Sequence, residues 1–222
     1  MEVAALARSG VTDKSVSENY DVIASAYADN LYDELKGKPL DRHLLNRFAE
    51  EVGEGKVADV GCGPGQIARY LREQGVNAIG IDLSQAMVRL ATQLNSNIEF
   101  RAGDMLALDL PDASLAGVVA FYSIIHLEPS QIPAAFREFH RVLASDGVLL
   151  VAFHVGDDTH HVDEMWGHEV SLDFHFLRPA MISGALEASG FVVSEAIERE
   201  PYEGAEHPSR RCYLFARKKR TG

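Results

Sequence analysis

The chain has 222 residues, of which 46% are hydrophobic and 24% are charged, and its formal net charge at pH 7 is −12. That length and composition are typical of one globular domain with a sizeable core, here residues 1–222. Such an acidic excess argues against a protein that wraps a nucleic-acid backbone, because phosphate binding needs a dense basic face.

Cysteine content and the N-terminal composition bear on the cellular compartment. Cys62 and Cys212 are the two cysteines, and they offer neither a disulfide framework nor a zinc quartet. The first residues lack the basic and apolar segments of a secretory signal, and no apolar run approaches the roughly 18 residues of a membrane span. We therefore expect a cytoplasmic protein without a membrane partner or a metal. Its oligomeric state, monomer or homodimer, is left open.

Two amphipathic helices are predicted before the first strand. Residues 1–16 lack sustained periodicity and are expected to be loosely packed. The first helix has Ser17 or Asn19 as its candidate N-cap, and one face is marked by Tyr20, Ile23, Ala24 and Tyr27. The second helix is predicted from Leu40 to Val52, and its inward face holds Leu44, Leu45 and Phe48.

The most informative stretch runs from Lys56 to Ser84 and has the pattern strand, glycine turn, helix, strand and acidic residue. A short apolar strand is followed by glycines at alternate positions: Gly61, Gly63 and Gly65. Because these positions carry no side chain, a ligand can approach the backbone closely. A helix with Ile67, Ala68 and Leu71 on one face leads to a second strand. That strand ends at Asp82, 21 positions after Gly61, where nucleotide-binding folds place the acceptor for ribose hydroxyls.

The glycine spacing distinguishes between nucleotide ligands. A dinucleotide fold has G-x-G-x-x-G and a helix N-terminus that faces a pyrophosphate. Here the pattern is G-x-G-x-G, and Gln66 stands where the third glycine would be. Asp59 beside the turn would repel a pyrophosphate but suits a ligand that carries an ammonium and a sulfonium. An NAD(P) oxidoreductase, or a glycine turn in another α/β domain, is the disfavoured alternative.

The rest of the chain alternates between predicted strands and helices. Ser84 is a plausible N-cap for a helix that runs through Leu94. The later elements are a strand at 98–100, a strand at Leu115–Phe121, a helix from about Pro129 to Leu143, a strand at Val148–Phe153, a helix at Pro179–Ser189, a strand from Phe191 and a strand at Arg211–Ala216. No internal repeat or low-complexity linker interrupts this α/β pattern.

Several of these segments resemble one enzyme family. VADVGCGPG (57–65) and GIDLS (80–84) resemble motif I and the following acidic motif of the class I, Rossmann-like S-adenosylmethionine-dependent methyltransferases. YDVIASAYADNLYDEL (20–35) resembles the opening of small-molecule members, and AGDM (102–105) resembles their G-D motif. Motif matches cover about residues 17–153. The resemblance implies a seven-stranded, mostly parallel sheet in the order 3-2-1-4-5-7-6, with the last strand antiparallel, helices on both faces and an N-terminal helical lid (17–52).

The resemblance also implies a cofactor, S-adenosylmethionine, with S-adenosylhomocysteine as its product. Asp82 would hold the ribose and Asp104 the adenine. The full set of implied cofactor-binding residues is Tyr20, Tyr27, Asp59, Gly61, Cys62, Gly63, Gly65, Gln66, Asp82, Leu83, Met87, Gly103, Asp104, Met105 and Phe121. Two plainer interpretations stay open: the tyrosines could be the packed stripe of a helix, and Gly103-Asp104 an ordinary turn.

The segment 154–177 interrupts the strand–helix alternation and contains five of the nine histidines. A connection this long is functional or disordered in most proteins, and its aromatic residues argue against disorder. We interpret it as a substrate-covering insert, with a polar surface hairpin and a metal site as alternatives. The candidate catalytic residues are His126 and His154. The candidate substrate-binding residues are Tyr122, His154, His161, Trp166, Phe174 and Arg211.

The predicted function is methyl transfer from S-adenosylmethionine to a small-molecule acceptor, at oxygen or nitrogen. A histidine base is needed only when the acceptor must lose a proton early. Arg210 or Arg211 could clamp a substrate carboxylate, or could simply be solvated. One rival is a tRNA wobble-uridine methyltransferase, which would want a basic groove. The other is a non-catalytic S-adenosylmethionine-binding regulatory protein, since cofactor motifs and acceptor chemistry are separable.

Overall fold

The computed structural model describes residues 15–204 and 206–219, so the expectation for residues 1–14 lies outside the described part of the chain. The helices are α1 (Val16–Leu31), α2 (Pro39–Val52), α3 (Gln66–Glu73), α4 (Gln85–Leu94), α5 (Ile132–Val142) and α6 (Pro179–Ala188). The strands are β1 (Lys56–Val60), β2 (Asn77–Asp82), β3 (Glu99–Ala102), β4 (Leu115–Phe121), β5 (Leu143–His154), β6 (Thr159–Met165), β7 (His168–His175), β8 (Phe191–Arg199) and β9 (Arg211–Lys218).

Seven strands form one sheet in the order β3-β2-β1-β4-β5-β9-β8. The first five of these pair in parallel, and β9 pairs antiparallel with both β5 and β8. If only the strands of this sheet are counted, β8 and β9 are the sixth and seventh. The predicted order 3-2-1-4-5-7-6, with an antiparallel seventh strand, is therefore confirmed. β6 and β7 form a separate antiparallel hairpin.

Helices cover both faces of the sheet, as expected. On one face, α2 and α3 contribute Leu44, Leu45, Phe48, Ile67 and Leu71, all of which are buried. On the other face, α5 and α6 contribute Phe136, Phe139, Ile182 and Leu186. The inward residues predicted for α2 and α3 are thus confirmed. None of the helices within the described ranges has both the length and the apolar composition that crossing a membrane requires.

Three elements begin two or more residues from the predicted position, while the other boundaries agree to within about two residues. The predicted N-caps of α1, Ser17 and Asn19, are wrong, because Ser15 caps the helix in a capping box with Glu18. α5 begins at Ile132 rather than near Pro129, since the preceding residues form a turn closed by the Gln131 N–H and the Glu128 carbonyl. β5 begins at Leu143 rather than Val148, and an irregularity in its pairing with β4 accommodates the extra residues.

The hairpin packs on α1 instead of joining the sheet. Ile23 of α1 is fully buried against Val170 and Leu172 of β7. Asn19 adds two hydrogen bonds: its Oδ1 accepts from the Ser171 N–H at 2.8 Å, and its Nδ2 donates to the Ser171 carbonyl at 3.0 Å. The insert is therefore an ordered structure that is fixed to the N-terminal helix.

We expect Asn19→Ala to lower the free energy of unfolding by about 1–3 kcal/mol, because it leaves the backbone N–H and carbonyl of the half-buried Ser171 without these partners. Urea denaturation of the variant and the wild type measures the difference. Asn30→Ala is the matched control, since Asn30 is an exposed residue of the same helix. An equal loss in both variants would contradict a specific role for the Asn19 bonds.

Candidate functional site

Two cavities lie side by side at the carboxyl ends of the parallel strands, where open α/β sheets bind ligands. The first has a volume of about 320 Å³, and the second has a volume of about 250 Å³. Both are lined by Tyr20, Tyr27, Gly61, Gly63, Phe121, Tyr122 and His126. This shared wall means that molecules bound in the two cavities would meet each other.

Most of the predicted cofactor residues line the first cavity, namely Tyr20, Tyr27, Gly61, Gly63, Asp82, Leu83, Met87, Gly103, Asp104, Met105 and Phe121. Cys62 and Gln66 line the second cavity instead. Asp59 and Gly65 line neither of the two cavities. Of the predicted substrate residues, the second cavity contains Tyr122, His154, Trp166, Phe174 and Arg211, whereas His161 lies outside both.

The glycine turn after β1 supplies bare backbone to both cavities. Gly61 has φ +74°, and a Cβ added there would lie 2.2 Å from the Cβ of Ser123. Gly63 has φ +51°, but a Cβ added there would meet no heavy atom nearer than 3.8 Å. Gly61 is thus required by packing as well as by its backbone angle. Gly63 faces open space, which a bound molecule can fill.

Asp82 fixes the shape of this turn from the end of β2. Its Oδ2 accepts a hydrogen bond from the Gly63 N–H at 2.7 Å, and its Oδ1 accepts from the Ser84 N–H at 2.8 Å. Burial raises the pKa of Asp82 above its ordinary value, and the N–H donors oppose that rise. Each carboxylate oxygen keeps a free acceptor direction. The group can therefore accept hydrogen bonds from two neighbouring hydroxyls of a ligand.

Asp104 forms a turn at the first cavity. Its Oδ1 accepts a hydrogen bond from the Leu106 N–H at 2.8 Å, which is the geometry of an ordinary turn. The residue also lines the first cavity, as does Met105. The turn fixes the backbone there, and Oδ2 accepts no hydrogen bond from the described residues. The position suits a ligand that donates a hydrogen bond.

Asp59 does not face a ligand, contrary to the role that its position beside the turn suggested. It is 1% exposed, and its Oδ2 accepts from the Ala68 N–H of α3 at 3.1 Å. Burial raises the pKa of Asp59 to about 8, and the negative charge of Asp82 contributes. The residue therefore connects β1 to the first turn of α3. Because the carboxylate is buried and bonded to α3, it would not directly repel a pyrophosphate at the turn.

Tyr20 and His126 form a pair in the wall between the cavities. The Tyr20 hydroxyl lies 2.8 Å from His126 Nε2, and His126 Nδ1 lies 3.2 Å from the Asp173 carbonyl. Since a carbonyl only accepts, Nδ1 carries the proton of the neutral imidazole, and Nε2 accepts from the Tyr20 hydroxyl. Burial lowers the pKa of His126 to about 4. The imidazole is therefore neutral at pH 7 and is a weak base.

His154 ends β5 at the second cavity. Its Nδ1 lies 2.8 Å from Ser209 Oγ, and its ring stacks on Phe176 with centroids 5.2 Å apart. Burial lowers the pKa of His154 to about 3, and nearby positive charges, of which Arg211 is the largest, lower it further. This histidine is also neutral at pH 7. It can exchange hydrogen bonds with a ligand, but it has little capacity to take up a proton.

The hairpin closes the second cavity with aromatic side chains. Trp166, at the hairpin turn, packs edge-on against Tyr27 with ring centroids 5.7 Å apart. Phe174 of β7 lies 4.8 Å from the His126 ring. His161 instead lies on the exposed side of the hairpin, where its Nδ1 is 2.7 Å from Asp173 Oδ1. The insert thus contributes rings to the cavity, while this histidine belongs to its surface.

A buried ionic cluster adjoins the second cavity, which two of its members, Lys38 and Glu206, line. Sequence reasoning missed most of this cluster. Arg199 pairs with Glu206 at 2.6 Å and with Asp41 at 2.9 Å, and Lys38 lies 3.3 Å from Glu206. These residues come from α2, its N-cap, β8 and the loop before β9. Their separations along the chain carry no local pattern, so only the folded chain brings them together. Among the described residues, no three potential ligands are grouped as a metal site would group them.

Comparison with known proteins identifies the framework around these cavities. Residues 57–147 match a family model described as a methyltransferase domain. A malonyl-[acyl-carrier protein] O-methyltransferase from Serratia marcescens is 29% identical over 160 residues, which are 70% of this chain and 62% of that protein. A protein from Mycolicibacterium smegmatis named as a probable S-adenosylmethionine-dependent methyltransferase is 30% identical over 69% of this chain and 58% of its own length.

A solved structure shows the same fold. A protein from Methanosarcina mazei, described as one of the S-adenosylmethionine-dependent methyltransferases, aligns with a TM-score of 0.71 at 17% identity, over 79% of this chain and 97% of its own. The chain spans less than two thirds of the two curated relatives above. The substrates named for those whole proteins therefore describe the relatives and are not assigned to this chain.

The histidines are expected to titrate in two groups. His126 and His154 should stay neutral from pH 7 to about 5, whereas hydrogen bonds to Asp173 and Asp163 raise the pKa of the exposed His161. NMR titration of the imidazole carbons, assigned with single His→Gln variants, measures this.

The lowered pKa of His126 also affects stability. Histidine in the unfolded chain binds a proton near pH 6.5, whereas His126 in the folded protein binds one only near pH 4. Its contribution to the free energy of unfolding is therefore fully present above pH 6.5 and is lost as the pH falls towards 4. Titration of His126 near pH 6.5 would contradict its burial.

Proposed function

We propose that this chain, which belongs to the class I, Rossmann-like S-adenosylmethionine-dependent methyltransferases, transfers a methyl group from S-adenosylmethionine to a small-molecule acceptor at oxygen or nitrogen. One observation carries the proposal: two cavities of small-molecule size share a wall at the carboxyl ends of β1 and β4. A two-substrate transfer needs this arrangement, since the donor and acceptor must touch.

The residues of the first cavity fit the cofactor. Asp82 would accept hydrogen bonds from the two ribose hydroxyls, and Asp104 would accept one from the adenine amino group. The backbone at Gly61 and Gly63 would lie against the methionine part. Leu83 and Met87 would flank the adenine. When bound, S-adenosylmethionine supplies an electrophilic methyl group, and the electrons of the breaking C–S bond stay on sulfur as the bond to the acceptor atom forms.

The protein's own contribution is alignment and exclusion of water. α1 covers the first cavity with Tyr20 and Tyr27, and the hairpin covers the second with Trp166 and Phe174. Holding two reactants in line can supply several kcal/mol of barrier reduction, and a closed site removes competing water. No metal or strong base is required for such a transfer when the acceptor reaches the site as a nucleophile.

We infer that neither of the candidate catalytic residues, His126 and His154, acts as a base. Bases are most effective when their pKa lies near the working pH, and the pKa of these two residues is lowered to about 4 and about 3. His154 would hydrogen-bond to an alcohol or amine acceptor through Nε2, since its Nδ1 is held by Ser209. His126, whose two ring nitrogens are held by Tyr20 and the Asp173 carbonyl, would position Tyr20 at the shared wall. The proton of the methylated oxygen or nitrogen would be lost to solvent when the product leaves.

A nucleic-acid acceptor fits this molecule less well. The net charge is −12, and the two cavities are lined by side chains of a helix and a hairpin and by carboxylates such as Asp82 and Glu206, which do not form a basic groove. The proposal also includes a single domain, with residues 17–52 as its lid and residues 154–177 as its insert. It further includes a cytoplasmic location and a monomeric or homodimeric state.

Thermal-shift titration tests the cofactor. S-adenosylmethionine or S-adenosylhomocysteine at a hundred times its dissociation constant should stabilise the protein by about 2.7 kcal/mol, a shift on the order of 5–10 °C at this size. NAD(P) should give no shift.

Asp82→Asn should weaken adenosyl binding about 10- to 100-fold, because the amide places donors where hydroxyl donors must bind. Asp112→Asn, an exposed position in the loop before β4, is the control. A shift with NAD(P) alone would overturn the proposal.

Turnover tests the role of His126. Transfer of a tritiated methyl group to an acceptor found by screening should fall about tenfold or less in His126→Gln, since the glutamine amide preserves a polar partner for Tyr20. A general base would instead cost about 10²- to 10⁴-fold in kcat. A hundredfold loss in kcat with unchanged KM would show that His126 accepts the proton, against our inference.

A further inference from the structure

We propose that the acceptor carries a carboxylate, which Arg211 binds in the second cavity while another atom of the acceptor receives the methyl group. This inference rests on the proposed function and names its substrate class. Arg211 lines the second cavity and not the first. A group held by Arg211 is therefore an anchor, separate from the atom that meets the cofactor at the shared wall.

Arg211 is buried with part of its hydrogen-bonding capacity unused. It is 3% exposed, so it is not the solvated arginine that its place at a strand start allowed. Its Nη1 donates to the His207 carbonyl at 3.0 Å and to the Ser209 carbonyl. Its Nε is fully buried and faces Glu206 Oε1 at 3.3 Å. Its Nη2 donates to none of the described residues, since all three of its hydrogen bonds use Nη1. Nη2 is therefore the donor that a ligand in the second cavity can use.

The neighbouring acidic groups are already engaged. Glu206 Oε1 lies 3.3 Å from Arg211 Nε without the geometry of a hydrogen bond. Both Glu206 oxygens accept from Arg199, and Oε2 also accepts from the Tyr202 N–H. Glu34, the other carboxylate that lines the cavity, pairs with Lys38 at 2.5 Å. These carboxylates are neutralised by their own partners, so they leave Arg211 available to a ligand.

A second cation, Lys38, lines the same cavity as Arg211. Both lie near His154, which pairs with Arg211 in the β5–β9 register. Besides burial, Arg211, the neighbouring His207 and Lys38 lower the pKa of His154, and Glu206 opposes them. Two cationic side chains at one cavity can attract a bound anion.

The shape of the cavity suits a planar acid. The second cavity is lined by ring systems from four parts of the chain, namely Tyr27, Phe121, Tyr122, His154, Trp166 and Phe174. Aromatic rings pack well against planar groups, and an arginine N–H donates a strong, charge-assisted hydrogen bond to a carboxylate. An aromatic acid would therefore place its ring among these side chains and its carboxylate on Arg211.

Binding to the S-adenosylhomocysteine-saturated protein tests this proposal. The probes are matched pairs of small aromatic acids and their primary amides: benzoate and benzamide, 4-hydroxybenzoate and 4-hydroxybenzamide, indole-3-acetate and indole-3-acetamide, with phenyl phosphate as a second anion. Calorimetry should show at least one acid that binds about tenfold or more tightly than its amide and than phenyl phosphate, since a charge-assisted hydrogen bond is stronger than a neutral one.

Three variants assign that preference to one side chain. Arg211→Gln should reduce the acid-to-amide preference to less than about threefold while the affinity for the amide is kept, and Arg211→Lys should retain part of it. Arg210→Gln is the matched control, because Arg210 is an exposed neighbour that pairs with Glu198 and Glu200. Its preference should be unchanged. If Arg211→Gln fails to fold, Arg211→Lys and the wild-type ratios still decide the matter.

Several results would overturn the proposal. They are equal binding of acids and amides, no acid that binds more tightly than its amide, binding of phenyl phosphate alone, or an acid preference that survives in Arg211→Gln. These outcomes are separable from failure of the proposed function. Absence of binding by S-adenosylmethionine and S-adenosylhomocysteine would reject the methyltransferase proposal itself. Cofactor binding together with methylation of uncharged compounds would reject only the carboxylate anchor.

Discussion

The hydrogen bond from the Gly63 N–H to the Asp82 carboxylate is the constraint on which the site depends. It joins the turn after β1 to the end of β2, and the Gly61 and Cys62 N–H groups add bonds to the Ile81 carbonyl. Two adjacent parallel strands thereby hold one turn in a fixed shape. Because Asp82 satisfies this turn and still faces the first cavity, a single carboxylate both builds the cavity and offers acceptors to what occupies it. Replacing it would therefore disturb the shape and the chemistry together.

The second cavity is built differently. Its walls come from α1, the segment after β4, the hairpin and the loop before β9, so it exists only when distant parts of the chain have assembled. The sheet supplies a rigid floor, while the coverings are fixed by a few polar contacts such as those of Asn19 with Ser171. This division is typical of folds in which one framework serves many acceptors, because the covering segments can vary without altering the sheet.

Much of the framework could be predicted from the sequence, and the reasons are local. Apolar periodicity located the helices, β4 was delimited correctly, and the glycine spacing with Asp82 indicated the first cavity. The failures involve long-range packing. The position of Asp59 beside the turn suggested contact with a ligand, but its carboxylate bonds to α3. His161 shares a histidine-rich segment with His154, yet strand alternation places it on the outer side. The Arg199–Glu206–Asp41 cluster joins residues over 150 positions apart, and no spacing rule detects it.

The pairing of Tyr20 with His126 ties access to the site to the state of one proton. Tyr20 lies on α1, and the Asp173 carbonyl that holds the other imidazole nitrogen belongs to β7, which is fixed to the same helix through Asn19. α1 and the hairpin would consequently move as one body. If they swing away to admit or release a ligand, His126 loses both partners and its burial, and its pKa returns towards the ordinary value. Such an opening would therefore be coupled to the uptake of a proton by that imidazole wherever the pH lies between the two values.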